Sequence, residues 1–205
     1  MSERVRRIYD RRAAVYDRTA GAAEGMLLGD FRRRFGALLR GRTLEGAVGT
    51  GLNLPYYSPA VTEAFGVDFS IGMLREARQR ARALGLPMRF VQADAQALPF
   101  PAAAFDTVAI SLALCTVADP PTALREMARV CRPDGRIVLL EHVASPVGPV
   151  YALERLLSPL QERQMGCNLT RRTVDTVREL GFRIEAEESR WWGVFRLVIA
   201  RPPAL

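Results

Sequence analysis

The sequence has 205 residues, 49% of them hydrophobic, with 29 basic against 22 acidic residues and a formal net charge of +7. This length suits one well-packed domain and is short for two. Every basic residue is an arginine, whose guanidinium stays charged and pairs well with carboxylates and phosphates. The three cysteines lack metal or redox spacing, which indicates a reducing cytoplasm. The longest apolar run, 108–118, is far below the ~18 residues that cross a bilayer.

Two amphipathic segments come first in the chain. Residues 3–19 carry arginines around an apolar face on which Tyr9 and Tyr16 stand seven residues apart, on one side of a helix. Residues 26–40 repeat the apolar stripe beside three consecutive arginines. Both segments are predicted to be helical.

Strands alternate with helices in the next part of the chain. Apolar runs predict strands at 43–48, 64–68, 88–92, 106–112 and 136–141, and amphipathic segments predict helices at 53–58, 71–84 and 120–131. Such alternation gives a mostly parallel sheet. The last two predicted strands, roughly 182–188 and 193–200, have no helix between them and should form an antiparallel hairpin at the sheet edge. The fold class is therefore α/β, with a seven-stranded, mostly parallel sheet and helices on both faces.

A glycine-rich turn follows the first predicted strand. Gly49 and Gly51 let the backbone approach a ligand closely, and a helix beginning behind the turn would offer unpaired N–H donors. Asp68, at the end of the next predicted strand, is placed to accept ribose hydroxyls. The dinucleotide fingerprint is not matched, because Leu54 stands where glycine or alanine is required. The pattern predicts a nucleoside site of another kind.

Five motifs, in order, resemble the class I S-adenosylmethionine-dependent methyltransferases. They are the glycine turn at 44–52 and the segments 68–74, 94–100, 105–106 and 132–136. The resemblance extends over nearly the whole chain. It implies a Rossmann-like version of the predicted sheet, S-adenosyl-L-methionine as cofactor and S-adenosyl-L-homocysteine as product.

The resemblance also implies roles for particular residues. Glu45 resembles the acid that positions the methionine portion, Asp68 the acceptor for the ribose diol, and Asp94 the acceptor for the adenine amino group. Met73 resembles the side chain that packs on adenine. The full set of implied cofactor contacts is Glu45, Gly46, Ala47, Gly49, Gly51, Asp68, Phe69, Met73, Asp94, Ala95, Ser111 and Leu112.

Ala47 is a departure from the family pattern, which has glycine at this position. A methyl group is tolerated there if the local backbone angles are ordinary. We expect it to weaken or re-angle cofactor binding without abolishing it.

The sequence indicates the methyl acceptor less specifically than the cofactor. Residues 111–115 are apolar and lack the Asn-Pro-Pro-Tyr type of tetrad that DNA and protein amine methyltransferases carry. There is no cluster of metal ligands and no nucleic-acid-binding module. We therefore expect a small-molecule or lipid-like acceptor, and neither nucleic acid nor metal as a partner.

The N-terminal Tyr-Asp pairs at 9–10 and 16–17 resemble the lid of quinone-biosynthesis C-methyltransferases and of bacterial phospholipid N-methyltransferases. This implies that Tyr9 and Tyr16 face cofactor and substrate. The arginines beside them suit an anionic membrane surface, where each adds ~1 kcal/mol, or else form the solvated face of an ordinary lid. Trp191-Trp192 is either an interfacial anchor or an edge-strand cluster.

His142 is the only histidine and directly follows the fifth predicted strand, where active-site groups gather in α/β sheets. It is either a general base or a structural residue.

Residues 141–143 and 166–170 also resemble segments of membrane-associated thiol methyltransferases. The leading hypothesis is N-methylation of phosphatidylethanolamine toward phosphatidylcholine. The alternatives are thiol S-methylation, quinone-ring C-methylation and a non-catalytic binding or docking scaffold.

The predicted organisation is one methyltransferase domain over residues 1–205. It divides into an N-terminal helical lid (1–40), a cofactor-binding core (41–142), a leucine-rich substrate-side insertion (143–169) and a C-terminal helix and hairpin (170–205). The expected location is the cytoplasm, with peripheral attachment to an anionic membrane.

Overall fold

The computed structural model describes residues 3–203, without the side chains of residues 20–24. The strands are β1 (Gly41–Gly46), β2 (Val61–Asp68), β3 (Met88–Gln92), β4 (Phe105–Ser111), β5 (Cys131–His142), β6 (Arg183–Arg190) and β7 (Phe195–Arg201). The α-helices are α1 (Glu3–Tyr16), α2 (Ala22–Leu28), α3 (Phe31–Ala37), α4 (Ile71–Ala83), α5 (Pro120–Val130), α6 (Gly148–Met165) and α7 (Thr173–Glu179).

The strands form one sheet in the order β3-β2-β1-β4-β5-β7-β6. The first five pair in parallel, and β7 runs antiparallel to both β5 and β6. The predicted fold class, with its antiparallel edge hairpin, is confirmed. The strand order reverses between β1 and β4, and ligands of open α/β sheets bind beyond the carboxyl ends of strands at such a point.

The helices α3 and α5 cover opposite faces of the sheet with their apolar sides. On one face Phe31 and Phe35 of α3 pack with Val138 and Leu140 of β5. On the other face a larger cluster joins the sheet to α5, through residues such as Leu124. The helices α4 and α5 begin at side chains that accept a backbone N–H, Ser70 and Asp119, as helix N-caps do. No helix in residues 3–203 is long and apolar enough to span a bilayer.

The segment behind the glycine turn differs from the prediction. The helix expected over 53–58 is a single 3-10 turn at Leu54–Tyr56. Pro55 lacks an N–H donor, and the side chains of Asn53 and Tyr57 both bond to Glu45, which fixes the segment in this form. The expectation that an α-helix N-terminus supplies donors behind the turn was therefore wrong.

Two other segments differ in the structure from the sequence-based prediction. The segment 26–40 contains the end of α2 and all of α3, separated at Gly29, whose φ is +57°. The leucine-rich insertion contains an 18-residue helix, α6, which ends at the left-handed Gly166.

Candidate active site

A cleft opens at the carboxyl ends of β1, β2 and β4, under α1. The predicted site residues that line it are Tyr9, Tyr16, Ala47, Gly49, Asp68, Phe69, Met73, Ser111 and Leu112. Residues that sequence reasoning missed also line it: Arg32, Val48, Thr50, Leu52, Asn53, Ala113 and Thr116.

Asp68 joins the two turns on one side of the cleft. Its carboxylate accepts the backbone N–H of Gly49 at 2.9 Å and that of Ser70 at 2.8 Å. Burial raises the pKa of Asp68 to about 6, and the hydrogen bonds from Ser70 and Gly49 oppose that rise. The side chain therefore has the acceptor chemistry that a ribose diol requires.

The glycine turn presents backbone rather than side chains to the cleft. Gly49 has a φ of +58°, and a Cβ placed on it would meet no atom within 4 Å, so it would point into open space. Ala47 also lies in the left-handed region, at φ +52°. The sequence-based condition that Ala47 has ordinary backbone angles is therefore not met, and its methyl group is held at some conformational cost.

Glu45 does not line the cleft but organises residues that do. It is fully buried and accepts hydrogen bonds from Asn53 Nδ2 and from the Tyr57 hydroxyl, both at 2.5 Å. Burial raises the pKa of Glu45 to about 7.

Asn53 connects this buried acid to the cleft. Its amide nitrogen also donates to Ser111 Oγ at 2.7 Å, and its carbonyl oxygen accepts from Arg32 Nη1 at 2.7 Å. Through Asn53, Glu45 positions the guanidinium of Arg32 and the end of β4 at one end of the cleft.

The turn after β4 forms another wall. Leu112 has a φ of +49°, and the following amides of Ala113 and Leu114 both donate to Glu141 Oε1 at 3.1 Å. Burial raises the pKa of Glu141 to about 8. This acid at the end of β5 fixes a turn from which Leu112, Ala113 and Thr116 line the cleft.

Several predicted cofactor contacts lie outside the cleft lining. Gly46 is the last residue of β1. At Gly51 a Cβ would lie 2.7 Å from Leu54, so glycine is required for close packing. Asp94 and Ala95 follow β3, where Asp94 accepts the backbone N–H and side-chain amide of Gln96, both at 3.0 Å.

The α1 helix covers the cleft with two aromatic rings. Tyr9 and Tyr16 have their ring centroids 6.2 Å apart, and Tyr9 is 6.4 Å from Phe69. All three rings line the cleft.

The aspartate after each of these tyrosines attaches α1 to the loops below. Asp10 accepts from Ser70 Oγ at 2.6 Å and from the Gly72 N–H at 3.0 Å. Asp17 accepts from Thr50 Oγ1 at 2.6 Å and pairs with Arg80. Each Tyr-Asp pair therefore places a ring in the cleft and anchors it.

His142 is not brought to the cleft. Its ring packs edge-on against Phe195, with centroids 5.6 Å apart, and its Nε2 lies 3.9 Å from Glu154 Oε1. Burial lowers the pKa of His142 to about 4. This environment favours the structural alternative over the general base.

The doubly wound sheet, the glycine turn and the acid beyond the second strand converge on one cleft. Together they define a protein that binds a nucleoside-containing small molecule. No group of metal-ligating side chains occurs within residues 3–203.

Comparison with known proteins identifies the family. A methyltransferase-domain family model matches residues 44–139. The phosphatidylethanolamine N-methyltransferase of Cereibacter sphaeroides is 40% identical over 153 residues, which cover 72% of this chain and 73% of that protein. The chain belongs to the S-adenosylmethionine-dependent methyltransferases.

Other relatives differ in their named activities. The demethylmenaquinone methyltransferase of Thermus thermophilus is 46% identical over 110 residues, covering 52% of this chain and only 50% of that enzyme. The structure of the YcgJ protein of Bacillus subtilis superposes with a TM-score of 0.64 at 27% identity, over 80% of this chain and 71% of that one. A possible histamine N-methyltransferase from Thermotoga maritima shares the fold, with a TM-score of 0.72 at 22% identity over 97% and 99% of the two chains.

Proposed function

We propose that this chain transfers methyl groups from S-adenosyl-L-methionine to the amine of phosphatidylethanolamine, working from the cytoplasm at the surface of an anionic membrane. In this proposal residues 1–205 act as one domain, and S-adenosyl-L-homocysteine is the product. The observation that carries it is the 40% identity, over 72% of the chain, to the Cereibacter sphaeroides enzyme of that name.

The cleft fits the nucleoside half of this cofactor. Gly49 leaves open space where any other residue would project a Cβ, and Asp68 offers a buried carboxylate to the ribose hydroxyls. Phe69 and Met73 provide apolar surface for the adenine. We assign the adenine amino group to Asp94 and a ring nitrogen to the Ala95 amide.

The other end of the cleft fits the methionine half. Arg32 presents a guanidinium held by Asn53, and a guanidinium pairs well with a carboxylate. Glu45 fixes Asn53 from behind, while Gly46, Ala47 and Gly51 shape the turn beneath. We place Ser111 and Leu112 beside the sulfonium. When bound, the cofactor supplies an electrophilic methyl group on that sulfonium.

The aromatic rings of the cleft suit an amine acceptor. The rings of Tyr9 and Tyr16 lie 6.2 Å apart, and aromatic faces attract ammonium groups. The acceptor loses one proton to solvent, and the lone pair of the neutral amine then forms the new N–CH3 bond as the S–CH3 bond breaks and S-adenosyl-L-homocysteine leaves. This is an in-line displacement, so alignment and exclusion of water during transfer are the main contributions of the protein. We give these roles to Tyr9 and Tyr16 and assign His142 no part in proton transfer.

Quinone-ring C-methylation is the second candidate, because the Thermus thermophilus relative reaches 46% identity within the matched 110 residues. The ring of a quinone acceptor would stack on Tyr9 and Tyr16.

Incubation with methyl-labelled cofactor tests the proposal. Separate reactions contain phosphatidylethanolamine dispersed in detergent, a demethylated quinone or an alkyl thiol. We expect label in the lipid fraction. Label only in the quinone or the thiol would transfer the proposal to that acceptor.

Calorimetric titration with S-adenosylhomocysteine separates an enzyme from a scaffold. The wild type should bind with micromolar affinity, and Asp68→Ala should weaken binding by more than tenfold, because about two hydrogen bonds to a charged group are lost. The control is Asp134→Ala, at a side chain that is 82% exposed. Absence of binding by the wild type would leave only the scaffold.

A further inference from the structure

The outward face of α6 is apolar and uncovered. Leu153, Leu156, Leu157 and Leu160 are 55%, 75%, 43% and 55% exposed. They are spaced as i, i+3, i+4 and i+7, so they form one row along the helix. An amphipathic helix in a globular protein normally turns such a row toward the core, and α6 does the opposite.

The inward face of α6 is polar and fixed. Its buried residues are Glu154 and Ser158. Glu154 Oε2 accepts the backbone N–H of Ser145 at 2.8 Å, and Ser158 Oγ accepts that of Leu169 at 3.1 Å. These bonds set the rotation of the helix about its axis, because turning the leucines inward would leave both N–H groups unpaired.

Arginines surround one end of the leucine row. Arg4 of α1 donates to the carbonyl of Arg163 near the end of α6, and a Cβ at Gly166 would lie 2.7 Å from Val5. A surface depression between α1 and the end of α6 is lined by Arg4, Arg7, Arg11, Arg12 and Arg163.

Tryptophans lie near the other end. Trp191 and Trp192 are 47% and 64% exposed. Ser145, just before α6, donates from Oγ to the Trp192 carbonyl at 2.6 Å and accepts the Val147 N–H at 3.1 Å. Leucines flanked by arginines and tryptophans are the composition of surfaces that lie in the membrane interface.

We propose that the leucine row of α6 inserts into the interfacial layer of an anionic bilayer, with the α1 arginines against the lipid headgroups. The net charge of +7 favours a negatively charged surface over a second, equally positive copy of the chain. Asn168, just after α6, donates to the Cys115 carbonyl at 2.9 Å, and the adjacent Thr116 lines the cleft. Docking through α6 would therefore bring the cleft to the lipid surface, so this inference rests on the proposed function and names its membrane-contacting element.

Sedimentation with vesicles tests the docking surface. Phosphatidylglycerol–phosphatidylcholine vesicles are compared with pure phosphatidylcholine vesicles, using the wild type and Leu156→Gln/Leu160→Gln. Burying one leucine is worth about tenfold in partitioning, so the double variant should bind anionic vesicles roughly a hundredfold more weakly. The matched control is Leu84→Gln at the end of α4, where the leucine is 46% exposed.

Three outcomes would overturn the inference. The wild type fails to bind anionic vesicles, the double variant binds as tightly as the wild type, or light scattering shows a wild-type dimer that the double variant lacks. Unchanged S-adenosylhomocysteine binding verifies that the variants are folded. Turnover of detergent-dispersed lipid tests the proposed function separately, since it needs no docking to a bilayer.

Discussion

Single residues in the cleft hold backbone conformations that their side chains disfavour. Ala47 and Leu112 both lie at positive φ, near +50°, and both line the cleft. A left-handed conformation costs an L-residue roughly 1–2 kcal/mol. At Leu112 the turn is held by hydrogen bonds to Glu141, whereas Ala47 stands within the glycine turn itself.

Replacing Ala47 by glycine should relieve this strain. We expect Ala47→Gly to raise the free energy of unfolding by up to about 1 kcal/mol, the left-handed cost less the entropy that glycine adds to the unfolded chain. It should also bind S-adenosylhomocysteine several-fold more tightly. Urea denaturation and calorimetry measure the two effects.

Ala103→Gly is the matched control for this substitution. Ala103 is exposed, has a φ of +53° and lies in the loop before β4. It should gain stability without any change in affinity. Equal affinities of wild type and Ala47→Gly would show that the Ala47 methyl group does not affect the cofactor site.

At the scale of elements, α1 is attached to the loops below it by Asp10 and by Asp17, which directly follows the helix. Asp10 binds the start of α4 and Asp17 binds the glycine turn. The tyrosines before them reach the cleft, so one helix places two rings over the site and holds both loops.

Removal of these carboxylates should loosen the lid. We expect Asp10→Ala/Asp17→Ala to weaken S-adenosylhomocysteine binding about tenfold, because hydrogen bonds to charged groups contribute ~1.5–3 kcal/mol each. Proteolysis within α1 should accelerate, while the urea midpoint of the remainder changes little. In Asp30→Ala, which loses a partner of Arg190 outside the cleft, affinity should be retained. A double variant with wild-type affinity would contradict the role of the lid.

The sequence predicted some elements well and others poorly for physical reasons. Strand and helix periodicity specified the sheet, and the Tyr-Asp pairs indicated which face of α1 meets the cleft. The helix α6 was predicted only as a leucine-rich insertion, and its orientation could not be predicted, because its inward contacts are made by Glu154 and Ser158 with backbone groups.

Asn53 and Arg32 are two of the cleft residues that were not predicted. Asn53 directly follows the glycine turn, so its position in the sequence could have indicated it. Arg32 is one of three consecutive arginines, and its bond to Asn53, which the sequence does not reveal, holds it at the cleft. His142 stands at a strand end suited to catalysis, yet packing against Phe195 takes it away from the cleft.

At the scale of the whole molecule, buried acids make stability depend on pH. Burial raises the pKa of Glu45 to about 7 and that of Glu141 to about 8, both from 4.5. The native state therefore keeps these protons at pH values where the unfolded chain has lost them. Their stabilising contribution is full below about pH 4 and disappears as pH rises through 7 and 8.

The free energy of unfolding should accordingly fall between pH 6.5 and 8.5. Below pH 6.5 the lowered pKa of His142 acts in the opposite direction, because the unfolded chain then takes up a proton that the native state refuses. We expect Glu141→Gln to flatten the curve above pH 7, as measured by urea denaturation at each pH. The control is Glu179→Gln on the exposed side of α7, and parallel curves for Glu141→Gln and the wild type would contradict the assignment.

The two aspartates that anchor α1 affect the turnover rate of the enzyme, because they hold the helix over the cofactor site. A used cofactor lies beneath Tyr9 and Tyr16 in the proposed site, so its exchange requires α1 to lift from Ser70 and Thr50. Lid motions take microseconds to milliseconds, and opening often limits the rate in such enzymes. The docking proposal places the arginines of this same helix against the lipid headgroups. We therefore expect anionic lipid both to recruit the enzyme and to change the rate at which its spent cofactor is released, as measured by S-adenosylhomocysteine dissociation with and without vesicles.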